Sequence, residues 1–122
     1  MKQPPQSSID RAAKYTVKEI YPLLLNKVEN KGRTKNELNE VIKWLTGYSE
    51  KKLNSLIEKE VTLGDFFKKA KIHPNAHLIT GMVCGYRVEE VEDPFMQQVK
   101  WLDKLVDELA KGRKMEKILR SE

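Results

Sequence analysis

Apolar residues recur along most of the chain every three or four positions, the spacing of one buried face of a helix. The first such stripe starts near Ile9 and carries Val17, Ile20, Tyr21, Leu24 and Val28. Pro22 falls inside it and has no backbone N–H to donate, so the pattern predicts a break near Tyr21 and a second piece running to about Asn30. Gly32 then suits a left-handed C-terminal cap. Thr34-Lys35-Asn36-Glu37 is a capping box, opening a helix that turns Leu38, Val41, Ile42 and Leu45 inward and stops at Gly47. Ser49 caps a further helix carrying Leu53, Leu56 and Ile57, and Thr62-Leu63-Gly64-Asp65 repeats the capping pattern before Phe66, Phe67 and Ala70.

Ile72-His73-Pro74-Asn75 reads as a loop leading into the apolar stretch Leu78 to Tyr86. Its glycines and its β-branched Ile79, Thr80 and Val83 also suit a strand, but no partner strand is legible, so the stretch is predicted as a buried helix. Gly81 and Gly85, four apart, would then let a neighbouring helix approach closely. Asp93-Pro94 combines an N-cap with proline at the first helical position, and the stripe Phe95, Val99, Leu102, Val106 and Leu109 extends that helix toward Lys111. A short basic amphipathic segment with Met115, Ile118 and Leu119 closes the chain.

These elements predict an all-α fold, an irregular bundle of about six short helices with one long C-terminal helix. Residues 1–8, with two prolines among polar side chains, are expected as a disordered tail, and residues 9–122 as a single helical domain. The 122 residues and their 39% hydrophobic share suffice for one core. The sequence holds no apolar run of membrane-spanning length and its start lacks a signal-peptide stretch, so a cytoplasmic location is expected.

Several segments in this order, Lys31-Gly32-Arg33-Thr34-Lys35, Trp44-Leu45-Thr46-Gly47-Tyr48, Ile79-Thr80-Gly81, Val83-Cys84-Gly85, Glu92-Asp93-Pro94 and Leu102 to Gly112, resemble a family of short bacterial proteins known as domain of unknown function 2200. The resemblance runs from about Tyr21 to Arg120. It implies a bacterial source and a small all-α fold. It implies no activity and supplies no catalytic or binding residues to carry across.

The residues themselves nominate a few sites. The formal net charge is +5, and +4 of it lies in residues 1–60. Lys27, Lys31, Arg33 and Lys35 surround the Gly32 turn with Glu29 alone to oppose them, a candidate for anion or nucleic-acid binding beside a helix start. The acidic knot Glu89, Glu90, Glu92 and Asp93 opposes a uniformly basic face. Cys84 is the one thiol nucleophile candidate, but its apolar and glycine neighbours describe a small buried hydrophobe. His73 and His77 are separated by Pro74 and Asn75, which points to a solvated loop rather than a metal pair. Asp103, Asp107 and Glu108 are expected in outer-face pairs with Lys100, Lys104 and Lys111. Trp44, Tyr48 and Trp101 are candidates for an interaction surface.

The sequence carries no phosphate-cradling glycine loop, nucleophile elbow or metal framework, and no cofactor or metal is expected. The favoured reading is a non-enzymatic protein-binding or self-associating helical module. The alternatives are nucleic-acid or anion binding at the Gly32 turn, and an enzyme using Cys84 or a carboxylate.

Overall fold

A computed structural model describes residues 2–121. Among them are seven α-helices: α1 (Gln6–Lys14), α2 (Val17–Glu29), α3 (Lys35–Thr46), α4 (Glu50–Glu58), α5 (Leu63–Lys68), α6 (Pro94–Ala110) and α7 (Met115–Ile118). A small antiparallel hairpin joins β1 (Met82–Val83) to β2 (Tyr86–Arg87), between 3-10 turns at Ala76–Leu78 and Val88–Glu90. The fold is therefore predominantly α, as the apolar spacing requires.

The helix α6 is the longest of these, and the short α7 follows it. It touches α2, α3, α5, α7 and the hairpin. Its Leu102, Leu105, Val106 and Leu109 share one buried cluster with Val28, Leu38, Val41, Leu45, Leu53 and Phe66. Burying each such side chain is worth about 1.5–3 kcal/mol, so this shared interior is what holds the short helices in place.

The capping signals act as read at Thr34, Ser49, Thr62 and Asp93, each of whose side chains accepts from a backbone N–H of the first turn. Gly47 follows α3 at φ +75, and a Cβ there would lie 3.0 Å from the Lys71 carbonyl oxygen. The loop needs that closeness. Lys71 N–H donates to Thr46 O at 2.9 Å and His73 N–H to Leu45 O at 3.0 Å, which occupies carbonyls that the end of α3 leaves unpaired.

The expected break near Tyr21 does not occur. It lies at Tyr15–Thr16, and α2 runs through Pro22. Thr16 decides this: its hydroxyl accepts from Glu19 N–H and the Glu19 carboxylate accepts from Thr16 N–H, both at 3.1 Å, a second T-x-x-E box. The adjoining residues pair with the entry to α5, Val17 N–H donating to Val61 O at 2.8 Å and Leu63 N–H to Tyr15 O at 2.7 Å. Two helix starts are thus tied together, and the single hydrogen bond that Pro22 forgoes is a smaller loss.

The stretch Leu78 to Tyr86 is likewise not a helix. Met82 pairs with Arg87 and Val83 with Tyr86, across a two-residue loop in which Cys84 has φ +51 and Gly85 φ +82. Positive φ at both loop residues is the type I′ hairpin turn, whose twist matches that of the strands. Gly81 and Gly85 therefore serve backbone turns rather than helix packing, and Cys84 is exposed rather than buried. The missing partner strand lay two residues further along the chain.

At the N-terminal end, Lys2 Nζ lies 4.8 Å from the centre of the Tyr86 ring. The Gln3 side chain donates to Glu90 O at 2.7 Å and accepts from Glu92 N–H at 2.9 Å, and Pro4 is buried. The first position of the expected tail, Met1, lies outside the described residues. At the opposite end the expected outer-face role of Glu108 gives way to a buried one. Its carboxylate is enclosed and accepts from Arg113 Nη1 at 3.0 Å and from both terminal nitrogens of Arg120, Nη2 at 2.8 Å. Burial without cations would leave that carboxylate strongly disfavoured, so these two arginines fold the C-terminal segment back onto α6.

Candidate functional site

Between α4 and α5 the structure leaves a cleft of about 410 Å³, lined by Tyr48, Lys52, Leu56, Lys59, Val61, Asp65 and Lys69. Two caps set its walls. Ser49 Oγ accepts from Lys52 N–H at 3.1 Å and starts α4, so that Lys52, Leu56 and Lys59 follow one another at helical spacings of four and three. Thr62 Oγ1 accepts from Asp65 N–H at 3.2 Å and starts α5, which brings Asp65 and Lys69, four apart, to the opposite wall. Between them Glu60 adopts φ +54, and Val61 N–H donates back to Leu56 O at 3.3 Å, so Val61 completes the lining.

Tyr48 closes one side. Its ring leans on Phe66 with centres 5.1 Å apart, and its hydroxyl donates to Phe66 O at 2.6 Å. Burial raises the phenol above its ordinary value, so it stays protonated and keeps that donor. Leu56 is buried and Val61 partly so, whereas Lys52, Lys59, Lys69 and Asp65 are exposed. The cleft therefore combines an apolar floor with a rim of three cations and one carboxylate. Such a rim attracts anionic groups, in a way that salt weakens because the lysines face solvent.

The residues nominated from the sequence are dispersed differently. Arg33 is committed internally: Nε and Nη2 donate to Glu37 Oε2 at 3.1 and 2.8 Å, and Nη1 to the carbonyls of Leu109 and Arg113 at 3.2 and 2.8 Å. Lys27 lies 3.7 Å from Asp107. Of the four basic residues around Gly32, Lys31 and Lys35 are exposed and have no ion pair among the described residues. Trp44 stacks on His73, ring centres 4.2 Å apart and planes inclined by 16°, while His73 Nδ1 accepts from Asn75 N–H at 3.0 Å. Trp101 packs against the core, and its Nε1 is buried without a hydrogen-bond partner among the described residues. Of the aromatic candidates, only Tyr48 lines the cleft. Cys84 stands apart at the hairpin tip.

The acidic knot has structural employment: Glu89 accepts from Gly81 N–H at 3.0 Å, which with the Glu89 backbone holds its carboxyl below the usual range. Among the described residues no cluster of three or more His, Cys, Asp and Glu side chains is arranged to hold a metal ion. Among the described residues no helix is long and apolar enough to cross a membrane. The cleft lysines Lys52, Lys59 and Lys69 were missed in the sequence. The available signal was the i, i+7 pair of lysines around Leu56, which alone reads as a solvated helix face.

A family model described as an uncharacterized protein conserved in bacteria, domain of unknown function 2200, matches residues 11–120. The chain belongs to this family. The crystal structure of the uncharacterized protein SP1917 is similar to it, with a TM-score of 0.85 and 40% sequence identity over 89% of this chain and 90% of that one. No protein of curated function matches. Every residue of the cleft, and Cys84 as well, falls inside the matched span of this family member.

Proposed function

We propose that this family member is a non-enzymatic protein-binding module of the cytoplasm, and that the cleft between α4 and α5 receives an acidic stretch of its partner. The observation that supports this reading is the combination of Lys52, Lys59 and Lys69 with an apolar floor in one concavity. A volume of about 410 Å³ falls within the range of ligand-binding clefts, roughly 300–1,000 Å³. Charge complementarity at its rim favours carboxylates and speeds their encounter. A lone exposed thiol at Cys84 is compatible with a reducing compartment.

The Gly32 turn supports anion binding less well, because Arg33 and Lys27 already serve internal carboxylates. Amide-resolved NMR with polyglutamate as the probe separates the two. Shifts centred on residues 48–69 that fade with added salt are expected. Shifts centred on Lys31 and Lys35 would overturn the assignment in favour of the turn.

A further inference from the structure

We infer that the cleft is built for a short extended segment of the pattern acidic–apolar–acidic, an inference that rests on the protein-binding reading above. Along α4, Leu56 lies between Lys52 and Lys59. Seven residues of helix separate the two lysine backbones by about 10 Å. The buried Leu56 side chain and Val61 lie in the same lining, with the Tyr48 ring beside them. A compact inorganic anion has nothing to set against this apolar floor.

The Lys52 and Lys59 backbones stand about 10 Å apart along α4, a span that about three residues of extended chain cover, with side chains alternating from face to face at about 3.3 Å per residue. With the central residue directed into the floor, the residues on either side turn their side chains outward to the rim. Their backbones are then about 6.6 Å apart, a separation that the long flexible stems of Lys52 and Lys59 can bridge. Asp65 remains to accept from a backbone N–H of the bound segment, and it sets a modest charge penalty against segments with more carboxylates than the lysines can neutralise.

The test is an NMR titration of the full chain with four probes: the amidated, acetylated tripeptides Glu-Leu-Glu, Glu-Ser-Glu and Lys-Leu-Lys, and pyrophosphate. Glu-Leu-Glu is expected to move the amides around Lys52, Leu56, Val61 and Lys69. Glu-Ser-Glu should bind about tenfold more weakly, for want of the buried leucine, and Lys-Leu-Lys not measurably. Asp65→Asn should tighten Glu-Leu-Glu, and the paired substitutions Lys52→Gln and Lys59→Gln, both at exposed sites, should abolish its binding. Equal affinity for Glu-Leu-Glu and Glu-Ser-Glu at the cleft would overturn the apolar anchor while leaving the acidic-partner reading intact. Tighter binding of pyrophosphate there would overturn the peptide pattern in favour of a small anion. No shift with either acidic peptide at millimolar concentration would overturn both.

Discussion

Arg120, two residues from the end of the chain, donates through Nη2 to Glu108 Oε2 at 2.8 Å, and Glu108 is only 6% exposed. The relationship couples the last described residues to the middle of the core, because α6 contributes Leu105 and Leu109 to the shared interior on either side of that carboxylate in sequence. Removing Arg120 leaves the buried charge to Arg113 alone. Arg120→Ala is therefore expected to lose about 3 kcal/mol of unfolding free energy, measured by urea denaturation. Adding Glu108→Gln to that variant should restore part of the loss, since the uncompensated charge disappears. A change below about 0.5 kcal/mol in Arg120→Ala would show the pair to be dispensable.

Cys84 should react with iodoacetamide in the folded protein, because it stands exposed at the hairpin tip. Its φ of +51 is a conformation that asparagine adopts more readily, and Cys84→Asn creates the Asn-Gly sequence favoured in type I′ turns. That variant is expected to gain about 0.5 kcal/mol in thermal or urea unfolding. Labelling only after denaturation, or a clear loss of stability in Cys84→Asn, would contradict the hairpin.

The pair Arg33–Glu37 predicts an acid-sensitive contribution. The Arg33 guanidinium holds the Glu37 carboxyl below its ordinary value, helped by the Thr34 backbone and hydroxyl. A carboxyl depressed in the folded state stabilises the fold above the unfolded value of about 4.3, and that contribution fades as pH falls through the folded value. Glu37→Gln keeps the capping geometry, since glutamine also serves at that position, but removes the charge. It should cost about 0.5 kcal/mol at pH 7, the scale of an i, i+4 pair. The difference from the parent protein should shrink toward pH 3, and a gap constant across this range would refute the assignment.

Much of the helical framework was legible because its signals are local. Thr34, Ser49, Thr62 and Asp93 each announce a helix start through a short side chain able to accept from the first turn. Thr16 and Glu19 carried the same signal, but the apolar stripe running across them masked it and drew the expected break to Pro22. The hairpin was hidden for another reason. Strands of two residues have no alternation to display, and Cys-Gly is not among the usual type I′ pairs. Glu108 looked like one more surface carboxylate because its two arginine partners lie five and twelve residues away, beyond the reach of a helical pairing rule. The cleft was invisible for the same reason: Lys52 and Lys69 become neighbours only when α4 and α5 fold onto a common core.

The most direct test of the central claim is calorimetric titration of polyglutamate into the parent protein and into a variant carrying Lys52→Gln, Lys59→Gln and Lys69→Gln together. These lysines are exposed and should be replaceable without loss of the fold, which circular dichroism verifies. Salt-sensitive binding is expected for the parent protein, and its loss in the folded triple variant. Undiminished binding by that variant would contradict the central claim and move the site elsewhere on the molecule.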